Sequence, residues 1–278
     1  MDKTKLSAIA NEIRKGALTA VYSAQSGHPG GSLGIADILA YLYFEEMNVD
    51  PKNPKMEDRD RFVLSKGHTA PALYSVLAEK GYFDKAELLK LRKTGALLQG
   101  HPDMKHIPGV DMTTGSLGQG ISTAVGMALG GKISGKSFTV YAALGDGEIQ
   151  EGQVWEAAMA AAHYKLDNLV AVVDNNGLQI DGNIADVMSP YPITDKFAAF
   201  GWNVVTADAH DFDSIHAAFE KTNEKNGKPW VIVQKSVKGK GVSFMENKAS
   251  WHGSAPNDEQ YAQAMEELEA IAKELEAK

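Results

Sequence analysis

Two short apolar segments, separated by a helical segment and each followed directly by polar residues, constrain the fold of this chain most. Residues 138–144 run into a GDG turn that contains Asp146, and residues 169–173 run into a DNNG turn that contains Asn176. The alanine-rich residues 153–163 predict a helix between them. A strand, a helix and a strand with a right-handed crossover place both polar turns at one edge of a parallel sheet. We therefore expect Asp146 and Asn176 to be neighbours.

The other apolar segments extend this architecture. Further strands are predicted at residues 61–64, 202–206 and 230–234, with helical patterns around them. A chain of 278 residues can form one large domain with a substantial core. The predicted fold class is α/β, with a mainly parallel central sheet and helices on both faces. We expect residues 1–256 to form this domain, and residues 257–278 to form a helix packed on it or extending from it.

Composition excludes several classes of function. The formal net charge is −8 and there is no basic stripe with interleaved aromatic residues, so we expect no nucleic-acid partner. The chain has no cysteine, which excludes disulfides, thiolate catalysis and thiolate metal sites. Its longest apolar runs have the length of strands, and its first residues form an amphipathic helical pattern without the apolar core of a signal peptide. We therefore expect a cytoplasmic chain with no membrane contact.

The two polar turns have the chemistry of a cation and anion site. Carboxylate and amide oxygens at the ends of parallel strands suit Mg²⁺, which completes its coordination shell with phosphate and water. The glycines on either side of Asp146 allow a sharp turn and a close approach to an anion. Each turn taken alone is equally consistent with an ordinary loop whose aspartate caps the next helix.

Four histidines stand in short glycine-bearing or polar segments: SGHPG with His28, SKGH with His68, GHP with His101 and WHG with His252. A histidine in a loop is by itself more often a surface residue. We read His210 as a surface or helix-start residue. The basic segment KSVKGKGVS before WHG can be a mobile linker, and Lys66 in SKGH receives no role.

The segment TTGSLGQG, at residues 113–120, precedes a helix rich in small residues. It is similar to a dinucleotide-binding loop, but the third glycine of that motif is replaced by Thr123 and no strand directly precedes it. A nicotinamide site is therefore poorly supported. Small residues here favour close packing around another ligand.

The combination of GDG and, thirty residues after Asp146, the second asparagine of NN resembles the signature of enzymes that bind thiamine diphosphate through a divalent metal. Together with SGHPG, GHP and TTGSLGQG, it resembles the transketolase family. The resemblance implies that Asp146 and Asn176 bind the metal through their side chains and Leu178 through its carbonyl oxygen. The metal would be Mg²⁺, or Ca²⁺ or Mn²⁺ in its place.

The same resemblance implies roles for the four loop histidines. His28 would face the cofactor and the sugar donor, and His68 would approach the diphosphate and the substrate. His101 would contact the donor, and His252 would reach the diphosphate. Glu151 would belong to a glutamate network that links paired active sites across a subunit interface.

Further cofactor contacts are implied for the two glycine-bearing turns. In the family the backbone at the Gly115 position touches the cofactor, and Ser116 stands where the family usually has proline. The residues implied as cofactor contacts in these turns are Gly115, Ser116, Leu117, Gly145, Gly147 and Glu148.

The resemblance covers nearly the whole chain but only the first third to half of a full-length transketolase. In the family, the carboxylic acid that activates the aminopyrimidine ring lies on a second domain. We therefore expect the N-terminal subunit of a split transketolase, which forms an α2β2 assembly with a separate C-terminal subunit. It would transfer a two-carbon ketol unit from a ketose phosphate to an aldose phosphate, as in the pentose phosphate pathway.

Three alternatives stay open. One is a subunit of another split thiamine diphosphate enzyme, such as a deoxyxylulose phosphate synthase or a 2-oxoacid dehydrogenase component. Another is a split transketolase for an unusual sugar. The third is a non-catalytic module that binds the cofactor and regulates a partner.

Overall fold

The computed structural model describes residues 1–277. Its strands are β1 (Arg61–Leu64), β2 (Val140–Gly145), β3 (Leu169–Asn175), β4 (Leu178–Gln179), β5 (Gly182–Asn183), β6 (Asn203–Asp208) and β7 (Trp230–Lys235). Its helices are α1 (Lys3–Ala24), α2 (Pro29–Gly34), α3 (Ala36–Tyr41), α4 (Ala70–Lys80), α5 (Gln119–Ile133), α6 (Gly152–His163), α7 (Ile184–Met188), α8 (Ile193–Ala199), α9 (Phe212–Thr222) and α10 (Asp258–Glu276). Short 3-10 turns occur at Gly67–Thr69, Lys85–Lys90, Glu148–Gln150 and Ala249–Trp251, and a π-turn follows α3 at Leu42–Glu46.

Five strands form one parallel sheet in the order β1-β2-β3-β7-β6. The strand that ends in the GDG turn therefore lies directly beside the strand that ends in the DNNG turn, with Gly145 opposite Asp174. Strands β4 and β5 form a small antiparallel ribbon just beyond β3. The predicted parallel sheet and the predicted adjacency of the two polar turns are confirmed.

Apolar side chains alternate between the two faces of the sheet and build a core on each. On β2, Tyr141 and Ala143 join the cluster that includes residues of α1, α3, α4 and α9. Val140, Ala142 and Leu144 join the opposite cluster, which includes residues of α5, α6 and α8. Because successive side chains of a strand point to opposite faces, both faces of the sheet are covered by helices, as predicted.

The strand boundaries differ slightly from the predicted ones. Strand β2 begins at Val140, two residues after the predicted start, and the backbone N–H of Thr139 donates to the Asp60 side chain at 2.8 Å. Strand β3 continues to Asn175, because Asp174 and Asn175 still pair with β7. The polar turn after β3 is therefore shorter than predicted.

The last helix, α10, packs against α1. Leu18 of α1 shares a small buried cluster with Ala264 and Leu268, and the Asn11 side-chain amide donates to the Leu268 carbonyl at 2.8 Å. The predicted helix extends to residue 278, which lies outside the described range. The division of the chain at residue 256 stays a prediction. Within residues 1–277, no helix is long and apolar enough to cross a membrane.

Candidate cofactor site

A cleft opens at the carboxyl ends of β1, β2 and β3, where the loops after these strands meet. Ligands of open α/β sheets bind at this edge, because the polar loops converge there outside the buried strands. The residues that line it are Gly31, Lys66, His68, Leu117, Gly145, Asp146, Gly147, Glu148, Gln150, Glu151, Asp174, Asn176, Leu178, Gln179, Ile180, Lys238 and His252.

Asp146 is the acidic centre of this cleft. Its side chain is buried, and its two oxygens accept hydrogen bonds from the backbone N–H groups of Gly147 at 2.9 Å and Gly177 at 2.6 Å. Burial and the neighbouring Asp174 carboxylate raise the pKa of Asp146 to about 6. A cation bound beside Asp146 would stabilise the ionised form of this carboxylate, which burial and the neighbouring carboxylate disfavour.

The oxygens of Asn176 and Leu178 lie in the same cleft. Asn176 Oδ1 accepts from the Leu178 N–H at 3.0 Å, and the Leu178 carbonyl accepts from Lys238 Nζ at 3.3 Å. The described residues contain no cluster of three His, Cys, Asp or Glu side chains suited to a metal. One carboxylate, one amide oxygen and one carbonyl still fit Mg²⁺, because this ion commonly takes few protein ligands and fills its shell with water and phosphate oxygens.

Asp174 is held by partners on both sides of its strand. It accepts from the Lys66 ammonium and from the Ser236 hydroxyl, and all three groups are buried. Burial acts to raise the pKa of Asp174, but Lys66 and Ser236 hold it below its usual value. Lys66, which received no role in the sequence, therefore fixes the carboxylate next to Asp146.

Lys238 is a functional candidate that the sequence reasoning missed. It is only 3% exposed, and its Nζ lies 3.3 Å from the Leu178 carbonyl and 3.0 Å from His252 Nδ1. Burial and the charge of Lys66 lower its pKa to about 8. A signal was available: this lysine follows β7, and the carboxyl ends of all parallel strands lie at the same edge of the sheet.

The four loop histidines come together beside this cleft. The ring of His28 lies 5.2 Å from that of His68, 5.5 Å from that of His252 and 6.5 Å from that of His101, measured between centroids. His68 and His252 stack at 5.1 Å. Their segments lie far apart in the sequence, so only the fold assembles the cluster.

These histidines are neutral near pH 7. Burial and the charges of Arg92 and Lys238 lower the pKa of His28 to about 4. Burial with Lys238 lowers the pKa of His252 to about 3, and burial also lowers the pKa of His68 and of His101. His28 Nδ1 is buried and has no hydrogen-bond partner among the described residues. A neutral imidazole with a free nitrogen can accept a proton or a hydrogen bond from a ligand.

Glycine allows the loops to approach one another. Gly115 has φ +155°, and a Cβ there would lie 3.1 Å from His101 Cδ2. Gly67 lies so close to the same loop that a Cβ would be 2.8 Å from the Gly115 nitrogen. Larger residues at these two positions would separate the His68 and His101 segments.

The other residues proposed as cofactor contacts occupy different places. Leu117, Gly145 and Gly147 line the cleft, whereas Ser116 is exposed and outside the lining. Glu148 uses both carboxylate oxygens internally: Oε1 accepts from Ser65 Oγ and from the Gly118 N–H at 3.0 Å. Its Oε2 accepts from the Gly145 N–H at 2.9 Å, so this side chain ties three loops together.

Glu151 lies at the rim of the cleft, where it precedes α6. It is exposed and makes no ion pair with any of residues 1–277. Its predicted role in a glutamate network across a subunit interface stays a prediction.

Residues 5–274 match the family described as transketolase, thiamine diphosphate binding domain. The chain is 48% identical over 260 residues to the 6-deoxy-6-sulfo-D-fructose transketolase subunit of Clostridium sp. strain MSTE9, covering 94% of each chain. It is 43% identical over 263 residues to a subunit of the apulose-4-phosphate transketolase of Phocaeicola vulgatus, covering 95% of this chain and 93% of the relative.

The fold matches that of solved transketolases. The crystal structure of transketolase from Campylobacter jejuni superposes with a TM-score of 0.91 at 32% identity and covers 99% of this chain. Only 46% of that protein is matched. The chain therefore spans less than half of this transketolase and nearly the full length of the two subunits from Clostridium and Phocaeicola.

Proposed function

Because the chain belongs to the transketolase family and matches the thiamine diphosphate binding domain of that family, we propose that it is the N-terminal subunit of a two-subunit transketolase. The observation that carries the proposal is the convergence of four loop histidines with Asp146 and Lys238 at one edge of the sheet. The two relatives of matching length, each named as a subunit, support a separate partner chain. Two copies of each chain would form a symmetric α2β2 assembly.

We propose that the diphosphate is held by charge and by backbone groups. Asp146, Asn176 and the Leu178 carbonyl would bind Mg²⁺, or Ca²⁺ or Mn²⁺, which neutralises the anion. Lys238 lies beside this oxygen set, and its ammonium would add a second positive charge. Leu117 and the turn from Gly145 to Glu148 would shape the wall of the site, with Glu148 holding that turn in place.

Thiamine diphosphate, when bound, supplies the carbanion chemistry that moves a two-carbon ketol unit from a ketose to an aldose. The histidines would orient the sugar hydroxyl and carbonyl groups and carry protons to and from them. His28 suits this role best because its Nδ1 has no partner among the described residues and its ring lies beside the other three. A neutral imidazole can act as a general base on a hydroxyl.

The sugar substrate distinguishes two versions of this proposal. A ketose phosphate and an aldose phosphate are one pair of substrates. The two relatives are named for 6-deoxy-6-sulfo-D-fructose and for apulose 4-phosphate, and they favour an unusual sugar as the second candidate.

Reconstitution tests the proposal. The purified chain, a candidate C-terminal subunit, thiamine diphosphate and Mg²⁺ are assayed together and separately. The assay follows ketol transfer to an aldose phosphate acceptor from each of three donors: fructose 6-phosphate, 6-deoxy-6-sulfofructose and apulose 4-phosphate. We expect transfer only with both chains, and we expect His28→Ala to reduce kcat by about a hundredfold or more while cofactor binding persists. Transfer by the chain alone would contradict the split enzyme. Full turnover with His28→Ala would favour a non-catalytic module.

A further inference from the structure

One short segment beside the cleft has regular structure although little of it is buried. Residues 178–188, which we call the ribbon segment, comprise β4, β5 and α7. Ile184 is the one buried side chain among them, whereas Ile180 is 65% exposed and Met188 is 63% exposed. Burying one side chain does not offset the conformational entropy that is lost when a segment of this length is ordered. Hydrogen bonds to the rest of the chain therefore hold it in place.

Gln150 supplies hydrogen bonds to both ends of the ribbon segment. Its side-chain Nε2 donates to Gln179 Oε1 at 2.7 Å and to the Met188 carbonyl oxygen at 2.6 Å. A carbonyl oxygen only accepts, so the group that faces Met188 must be the NH₂ of Gln150, and both of its N–H donors are used. No other side chain among residues 1–277 hydrogen-bonds to both ends of the segment.

The GDG turn fixes the position of Gln150 itself. Gln150 ends the 3-10 turn Glu148–Gln150, and its backbone N–H donates to the Gly147 carbonyl at 3.3 Å. A Cβ added to Gly147 would lie 3.3 Å from Gln179 Cβ, so β4 packs directly against this turn. One side chain thus joins the turn that contains Asp146 to the ribbon segment.

The ribbon segment begins at a proposed metal ligand. Its first residue is Leu178, whose N–H donates to Asn176 Oδ1 at 3.0 Å and whose carbonyl oxygen accepts from Lys238 in the cleft. Gly177, at φ +76°, and Gly182, at φ +135°, flank β4, and glycine permits more backbone conformations than other residues. The backbone around β4 therefore does not by itself fix where the Leu178 carbonyl points.

We propose that Gln150 is a positioning residue for the divalent metal. By clamping the ribbon segment to the GDG turn, its amide keeps the Leu178 carbonyl and Asn176 Oδ1 in the cleft beside Asp146. Mg²⁺ needs near-ideal octahedral geometry, so a small displacement of these oxygens weakens its binding. The effect on the metal rests on the metal site of the proposed function, whereas the clamp itself requires no metal, cofactor or partner.

Hydrogen exchange of the chain without metal or cofactor measures the clamp. The Ile184 N–H, which donates to the Gly177 carbonyl at 2.9 Å, reports on the ribbon segment. Gln150→Glu removes both donors, and we expect the exchange of this N–H to become about tenfold faster or more. Gln179→Glu is the matched control: its carboxylate still accepts from Gln150 Nε2, so exchange should stay within about threefold of the wild type. Both substitutions keep the side-chain size and add one negative charge, so charge alone cannot separate them.

Calorimetric titration of the two-chain enzyme with Mg²⁺, at saturating thiamine diphosphate, measures the effect on the metal. We expect Gln150→Glu to raise the Mg²⁺ concentration at half-saturation about tenfold or more, and to raise that of Ca²⁺ less, because Ca²⁺ accepts flexible geometry. An added carboxylate attracts a cation, so weaker binding cannot come from the new charge. Partial unfolding would lower the number of sites without this difference between the metals. Gln153→Glu adds the same charge outside the cleft lining and should bind Mg²⁺ like the wild type.

Three results would overturn the proposal. They are an unchanged Ile184 exchange rate in Gln150→Glu, faster exchange with the Mg²⁺ dependence of the wild type, and an equal loss of affinity for Mg²⁺ and Ca²⁺. Faster exchange with a larger loss for Mg²⁺ would support it, even if the two-chain enzyme transferred no ketol unit. The exchange measurement thus separates a failure of the clamp from a failure of the proposed function.

Discussion

Replacing Asp37 by asparagine tests whether a buried charge network supports the cofactor cleft. Asp37 accepts hydrogen bonds from the Arg14 guanidinium and, at 2.7 Å, from His210 Nδ1. His210 Nε2 in turn accepts from the backbone N–H of Val237 at 2.9 Å, directly before Lys238. This pattern places the imidazole proton on Nδ1. Asp37 is thereby connected to the lysine of the cleft.

The burial of the pair sets the expected magnitude. The side chains of Arg14 and Asp37 are 9% and 8% exposed, so removing one charge leaves the other buried without its partner. Breaking such a pair costs about 3–5 kcal/mol of the free energy of unfolding. The matched control is Asp213→Asn, because Asp213 pairs with Lys3 where the side chains are 63% and 56% exposed. An exposed pair contributes less than about 1 kcal/mol.

Urea unfolding at about pH 7, followed by tryptophan fluorescence, measures both variants. With a slope of about 2–3 kcal/mol per molar urea, Asp37→Asn should lower the midpoint by about 1–2.5 M. The affinity for thiamine diphosphate, measured by calorimetry, should fall as well, because Asp37 orients the His210 imidazole that accepts from the Val237 N–H.

The pH dependence gives a second readout. Burial acts to raise the pKa of Asp37, but Arg14 and His210 hold it below its usual value. The stability that the carboxylate contributes is therefore present above the unfolded pKa of about 3.9 and is lost as pH falls through the folded value. The difference in stability between wild type and Asp37→Asn should narrow as pH falls below about 4. A loss of stability at pH 7 as small as that of Asp213→Asn, or a difference that does not narrow below about pH 4, would refute the reasoning.

Three further predictions concern the cleft. Lys238→Met should weaken thiamine diphosphate binding about tenfold or more. In the wild type we expect the affinity to fall as pH rises through about 8, where Lys238 loses its proton, and this fall should be absent in Lys238→Met. Calorimetry from about pH 7 to 9 would count against this role if the affinities of both proteins change alike. Asp146→Asn should remove the Mg²⁺ dependence of cofactor binding, and an unchanged dependence in a magnesium titration would place the metal elsewhere. Glu148→Gln should lower the free energy of unfolding in urea by about 1–3 kcal/mol, because the NH₂ group of the new glutamine must face the backbone N–H of either Gly118 or Gly145. A stability equal to that of the wild type would contradict the described hydrogen bonds.

The sequence predicted the sheet well because its signals are local. An apolar run reports a buried strand, and the polar turn that follows it reports where the strand ends, so Asp146 and Asn176 could be placed side by side from the crossover rule alone. The ends of the strands also depend on residues that are distant in the sequence. Thr139 looks like the rest of β2, but its N–H donates to the Asp60 side chain.

The partners of charged and polar side chains were not predictable in this way. The sequence predicts that His210 is a surface or helix-start residue. It lies two residues before α9, and its side chain, which is 13% exposed, joins Asp37 to Val237, which the sequence pattern does not show. The basic segment that contains Lys238 has the composition of a mobile linker, but that lysine is buried against Leu178 and His252. The spacing of apolar residues shows whether a side chain faces the core. It does not show which distant residue that side chain will contact.

What the sequence by itself determined is therefore the class of the fold, the family resemblance and the residues with suitable chemistry. The tertiary structure decided which of those residues act together: it gathered four histidines from separate loops and buried Lys238 beside the Leu178 carbonyl. The physical reason is that strand and helix patterns depend on near neighbours in the chain, whereas charge, pKa and ligand geometry depend on neighbours in space.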